Sequence, residues 1–154
     1  MSPETILVIE DDEKDLFLLS HSLKLAGLTH PLEVVTDGDA ALKFLARRVE
    51  LSRKEGVLVL PLFVLLDLKL PKLNGFEVLE GIRKIPELAT LAVIVLTSSE
   101  TESDILLAYE LGARSYLVKP PSSADLLTVM RTVSAMPSAG GQARGARLDF
   151  KFQI

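Results

Sequence analysis

The chain has 154 residues, 48% hydrophobic and 25% charged, with no cysteine and a net charge of -4, which is the size and composition of one globular domain with a real core. The balance excludes disulfides and cysteine-based metal sites, fits a reducing cytoplasmic setting, and offers no basic cluster beyond Arg47-Arg48 for nucleic acid, so no DNA partner is expected. No membrane role is expected either: "MSPETILVIEDD" lacks the basic region and apolar run of a signal peptide, and the longest apolar stretch, "VLVLPLFVLL" (57–66), is short and holds a proline.

In chain order, "TILVIE" (5–10) is a continuous, β-branched apolar run, the pattern of a strand buried on both faces. Residues 12–27 follow with Leu16, Leu19, Leu23 and Ala26 at helical spacing, acids in the first turn and Gly27 at the end. "LEVVT" (32–36) predicts a second strand and 37–48 a helix. "PLFVLLD" (61–67) predicts a third strand, after a connection lengthened by 49–59. A helix over 75–85 stops before Pro86. "LAVIVLT" (91–97) is a fourth strand, and 102–113 a helix with Thr101 or Ser103 as its cap. "SYLVK" (115–119) is a fifth strand and 123–136 a fifth helix.

Strict alternation of doubly buried strands with helices predicts an α/β fold with a five-stranded parallel sheet covered on both sides. The commonest doubly wound arrangement of this size is flavodoxin-like, with strand order 2-1-3-4-5. Residues 1–136 would form this domain and 137–146 a flexible linker. In 147–154, Leu148, Phe150, Phe152 and Ile154 alternate with polar residues, which predicts an extra strand or a dimer arm. Its candidate docking edges are the apolar "VLVL" (57–60) and the fifth strand.

The carboxyl ends of the strands carry the chemistry. The first ends in Glu10-Asp11-Asp12, the third in Asp67, the fourth in Thr97-Ser98-Ser99 and the fifth in Lys119-Pro120. Any one of these alone is commonly a turn residue. Together they would converge where strand order reverses, which is where doubly wound sheets bind ligands. Crowded carboxylates repel one another, and a hard cation such as Mg²⁺ relieves that. A hydroxyl (Thr97) and an ammonium (Lys119) then suit a phosphoryl group, and Asp67 is the best placed nucleophile for forming an acyl phosphate.

On "ILVIEDD", "VLLDLKLPKLNGFEVL", "VIVLTSS" and "GARSYLVKP", the chain resembles a response-regulator receiver domain of the CheY-like superfamily over roughly residues 3 to 136. The resemblance implies that Asp67 is the phosphoacceptor. It implies a Mg²⁺ site made by Glu10, Asp11, Asp67 and the backbone carbonyl of Lys69. Thr97 would be the switch hydroxyl, Tyr116 the switch aromatic and Lys119 the phosphoryl-binding cation, with a cis peptide before Pro120. "EDD" allows two registers, Glu10/Asp11 or Asp11/Asp12. The first is preferred because Asp12 fits the start of the helix as its cap.

The long connection 49–60 and the region "THPLEVVTDGDAAL" resemble single-domain regulators, including those paired with bacterial phytochrome kinases. The implied function is a phosphorelay switch rather than a metabolic enzyme, with a histidine kinase as donor and no DNA-binding output domain expected. On the fourth helix, Leu107 and Leu111 are expected to face the sheet. Ile105 and Tyr109, on the other side, would form with Tyr116 a contact patch for a homodimer through the fourth helix, fifth strand and fifth helix.

Three other readings fit less well. A haloacid-dehalogenase-type phosphohydrolase needs a second aspartate two residues after the nucleophile, where this chain has Lys69. A flavodoxin-like flavin binder needs a phosphate loop after the first strand, where this chain has three acids. A degenerate receiver acting only as a binding module would not need the full acid–Asp–Thr–Lys set.

Overall fold

The structure, a computed structural model, describes residues 4–135. The linker expected at 137–146 and the alternating segment 147–154 lie outside the described residues. The elements in order are β1 (Ile6–Ile9), α1 (Glu13–Leu25), β2 (Leu32–Val35), α2 (Gly38–Glu55), β3 (Phe63–Leu66), α3 (Gly75–Arg83), a short 3-10 turn (Pro86–Leu88), β4 (Val93–Thr97), α4 (Glu102–Glu110), β5 (Ser115–Val118) and α5 (Ser123–Ala135). All pairings are parallel, as the alternation predicts, and the strand order is β2-β1-β3-β4-β5, the commonest doubly wound arrangement expected for this size.

Alternate residues of the inner strands serve opposite layers, as the two-residue period of a strand requires. Leu7, Ile9, Val64, Leu66, Val93 and Val95 pack with α2, α3 and α4. Ile6, Val8, Phe63, Leu65, Ile94 and Leu96 pack with Leu19 and Leu23 of α1 and Leu126 and Val129 of α5. With both faces covered, the polar residues that end these strands have one direction left, out of the sheet's carboxyl edge. No helix among the described residues is long and apolar enough to cross a membrane.

Two expectations are corrected. The second helix does not stop at Arg48 but runs to Glu55. Val49 still packs into the core, Arg53 pairs with Glu87 of the 3-10 turn at 2.7 Å, and nothing breaks the helix before Gly56. Gly56 closes it in the left-handed conformation at φ 78°, its N–H donating to the Ser52 carbonyl. Val57, Leu58 and Val59 form no strand and lie exposed.

The second correction is the phase of α4. Tyr109 is buried at 6% exposure and Ala108 fully, and Ile105 packs against them, whereas Leu106 and Leu107 are 46% and 38% exposed. The inward stripe is therefore 105, 108 and 109, the spacing that puts side chains on one helical face. Small Ala108 sits fully buried within that stripe. Leu111 does pack against the core as expected, but Leu107 does not. With Tyr116 fully buried as well, Ile105, Tyr109 and Tyr116 do not make an exposed patch.

Candidate phosphoryl and metal site

Backbone hydrogen bonds carry the sheet register one step beyond the strands and so fix the functional residues. The Glu10 N–H donates to the Val35 carbonyl, Asp67 N–H to Ile9 and Lys119 N–H to Thr97, each at 2.9–3.0 Å. Glu10, Asp67 and Thr97 are consequently buried, at 4%, 6% and 1% exposure. The Lys119–Pro120 peptide is cis, as expected.

The loop after β3 is held from two sides. Asn74 caps α3 in a capping box with Glu77, and a Cβ at Gly75 would come 2.5 Å from the Asp67 carbonyl oxygen, so α3 can start this close only with glycine there. From the other side, the Gly38 N–H donates to the Pro71 carbonyl, and a Cβ at Gly38 would collide with Leu73. Lys72 adopts a left-handed φ of 69°, and its Nζ lies 3.8 Å from Asp37, the N-cap of α2.

Carboxylate oxygens of Glu10, Asp11 and Asp67 lie within 4.8 Å of one another. Asp12 is not among them: its side chain caps α1, accepting from the Asp15 N–H at 3.0 Å. The geometry thus favours the Glu10/Asp11 register. Three hard oxygen donors at this separation fit a hard divalent cation, which neutralises mutual repulsion that nearby protein groups only partly offset.

The cation within the protein is Lys119. Its Nζ is 2.6 Å from Glu10, 2.8 Å from Asp15 and 3.4 Å from Asp67. Burial works against its charge, but the hydrogen bonds to Asp15 and Glu10 and the field of Asp67 outweigh that and hold it above the ordinary lysine range. Glu10 goes the other way: burial, with the nearby Asp67 charge, pushes its pKa up to about 7 despite the bonds from Lys119 and the Asp12 N–H. Sequence reasoning missed Asp15. It projects from the first turn of α1, where an acid reads simply as a complement to the helix dipole.

Beside the carboxylates opens a cleft of about 500 Å³ lined by Asp11, Lys69, Asn74, Thr97, Ser99 and Asp104. Sequence reasoning named Ser99 only as part of the strand end, without a role, and missed Asp104. The Ser99 hydroxyl donates to Asp104 at 2.7 Å, its N–H donates to the Thr97 hydroxyl at 3.4 Å, and its carbonyl accepts from the Tyr116 hydroxyl at 2.7 Å. One residue thus ties the expected switch hydroxyl, the switch aromatic and, through Asp104 and the Thr101 cap, the start of α4.

Similarity to known proteins agrees with this geometry. The pattern of the response regulator receiver domain matches residues 6–131. The chain is 36% identical over 133 residues to response regulator Rcp1 of Synechocystis sp., covering 86% of this chain and 88% of Rcp1. The fold matches the Mn²⁺-bound form of Rcp1 with a TM-score of 0.65 over 87% of this chain and 94% of that one. It matches the bacteriophytochrome response regulator AtBRR at 0.72, with 33% identity, covering 89% and 96% of the two chains. The phosphorylated cyanobacterial phytochrome response regulator RcpA matches at 0.66, with 30% identity, over 86% and 92%. A parallel sheet that brings an acidic pair, a lone aspartate, a threonine and a lysine to one edge, and relatives that match over nearly their whole length, lead to one conclusion: the chain belongs to the response-regulator receiver domain family.

Proposed function

We propose that the protein is a phosphoacceptor switch in which Asp67 receives a phosphoryl group from a histidine kinase. The observation that carries this is the meeting of Asp67 with Glu10, Asp11 and Lys119 at one strand edge. An Asp67 carboxylate oxygen attacks phosphorus, the O–P bond forms as the N–P bond of a kinase phosphohistidine breaks, and the released imidazole takes a proton from solvent. The three phosphoryl oxygens then need positive partners and hydrogen-bond donors. Lys119 supplies the first and the Thr97 hydroxyl a donor. Glu10, Asp11, Asp67 and the backbone carbonyl of Lys69 would hold Mg²⁺, whose contribution is to neutralise the carboxylates and the phosphoryl charge. The protein assists its own phosphorylation and dephosphorylation and is otherwise a signalling domain.

The output follows from the Ser99 connections. Drawing Thr97 toward the phosphoryl group disturbs the Thr97–Ser99 contact, and Ser99 is bonded to Tyr116 and to Asp104. The start of α4 and the neighbouring face of β5 and α5 then shift between two populated arrangements. Partner binding through this face, including homodimerisation, is the readout. Leu106 and Leu107 are the exposed apolar residues of α4 that can serve it. The names of AtBRR and RcpA support a phytochrome-type kinase as donor. Residues 1–136 are the receiver unit; the linker and the tail with its two readings, extra strand or dimer arm, lie outside the described residues. The setting is the cytoplasm.

Incubating the protein with acetyl phosphate and Mg²⁺ and weighing it intact tests the reading. A gain of one phosphoryl group, about 80 Da, is expected, lost when Mg²⁺ is chelated and absent from Asp67→Asn. An equal gain in Asp67→Asn would overturn it.

A further inference from the structure

Lys119 has three carboxylate neighbours, and they are not equivalent. Glu10 and Asp67 belong to the acid cluster that can take a cation. Asp15 stands outside that cluster, yet its Oδ2 accepts from the Lys119 Nζ at 2.8 Å. Its backbone is fixed as well, since the Asp15 N–H donates to the Asp12 cap. The Asp15 side chain is 34% exposed and that of Lys119 only 13%, so a rim carboxylate reaches in to hold an inner ammonium. Asp15, Lys119 and Glu10 share the lining of one small cleft with Leu18, Leu96 and Pro121.

An ammonium has three N–H donors on a flexible stem. When the oxygens of Glu10 and Asp67 turn to a cation and a phosphoryl group, Asp15 is the carboxylate partner Lys119 keeps. One N–H anchored on Asp15 sets the direction of the other two. We propose that Asp15 is a positioning residue for the phosphoryl transfer: it anchors the Lys119 ammonium so that its remaining N–H groups face the phosphoryl oxygens on Asp67. Charge alone would act the other way, because removing a nearby negative charge favours an incoming anion. The two effects have opposite signs, so measurement separates them.

The inference rests on Asp67 being the phosphoacceptor, and the experiment keeps the two claims apart. Initial rates of phosphorylation by acetyl phosphate at saturating Mg²⁺ are read by intact mass for the native chain, Asp15→Ala, Asp15→Asn, Lys119→Ala and the Asp15→Ala/Lys119→Ala double variant, with melting temperatures alongside. Asp15→Ala is expected to slow the reaction about three- to tenfold, the scale of one charge-assisted hydrogen bond at a partly exposed site. Asp15→Asn, which keeps the acceptor oxygen, restores most of the rate. In the Lys119→Ala background Asp15→Ala adds nothing, a non-additivity that a merely structural role would not produce. Should Asp15→Ala fold poorly, Asp15→Ser, too short to reach Nζ, is expected to show the same slowing. An Asp15→Ala rate equal to or above the native one, an Asp15→Asn rate as slow as the alanine variant, or a full additional loss in the double variant would overturn the proposal. A native chain that takes up no phosphoryl group, or an Asp67→Asn chain that takes it up equally, would instead overturn the reading of Asp67.

Discussion

The carboxyl edge of the sheet and the outer side of α4 depart from the ordinary rule of burial in opposite directions. At the edge, Glu10 and Asp67 are charged groups with 4% and 6% exposure; on α4, Leu106 and Leu107 are apolar groups with 46% and 38%. Buried carboxylates lose hydration that Lys119 only partly replaces. Each exposed leucine forgoes up to about 1.5–3 kcal/mol of burial. A single exposed leucine is ordinary, but an adjacent pair on the helix tied to the site through Ser99 and Asp104 is placed to matter. In the proposed switch the edge is relieved by charge arriving from outside and the helix by a partner surface, and the short loop with the Ser99–Asp104 bond links the two.

The largest effect is expected at Lys119. Lys119→Ala leaves Glu10, Asp15 and Asp67 without their shared cation and is expected to cost about 3 kcal/mol, as when one partner of a buried ion pair is removed. Urea unfolding measures it; a loss under about 0.5 kcal/mol would mean the edge is better solvated than its burial implies.

Next in size is a pH effect. In the unfolded chain Glu10 ionises near 4.5, and in the fold near 7, so the folded state binds this proton more tightly. Its contribution to stability is full below pH 4.5 and is lost as pH rises through 7, with a limit on the order of 3 kcal/mol at 1.36 kcal/mol per unit. Without divalent cation, the native chain should lose stability across that window while Glu10→Gln shows a flatter profile. Mg²⁺ affinity should rise across the same window, because binding must displace the proton. Matching profiles for the two proteins would remove Glu10 as the titrating group.

Two neighbouring acids sharpen the edge further. Asp12→Ala removes the α1 cap and should cost about 1 kcal/mol with little change in Mg²⁺ affinity. Asp11→Ala should do the reverse, weakening Mg²⁺ binding with little effect on stability. A titration giving the opposite order would move the site one residue along the chain.

The smallest expected change in stability lies on α4. Leu106→Glu and Leu107→Glu should alter it by less than about 0.5 kcal/mol, as exposed positions do, yet reduce self-association in sedimentation. Ile105→Glu should instead destabilise the monomer, since Ile105 packs on the core. Undiminished self-association in both leucine variants would place the interface elsewhere.

The same contrast explains what is legible in the sequence. Strands buried on both faces appear as unbroken apolar runs, so the polar residue that stops each run announces itself; Asp67 after Val64-Leu65-Leu66 and Thr97 after Val93–Leu96 are such cases. A parallel sheet also brings its strand ends to a common edge, so strand order alone is enough to assemble residues far apart in the chain. Helix α4 offers no such purchase. Ile105 to Tyr109 are five consecutive apolar residues, and a run without polar interruption carries no helical phase. Packing at Ala108 decides it. Asp15 is hidden for a related reason, because it pairs with a lysine 104 residues away. The continuation of α2 past Arg48 depends on what Val49 and Arg53 touch, and the local sequence marks only its end, at Gly56.

The most direct test is to locate the phosphoryl group. After reaction with acetyl phosphate and Mg²⁺, the protein is digested and its fragments are sequenced by mass spectrometry under conditions that preserve acyl phosphates. The adduct should map to Asp67 alone, in the segment running from β3 into the loop before α3. An adduct on Asp11, Asp12 or a histidine, with Asp67 unmodified, would contradict the account.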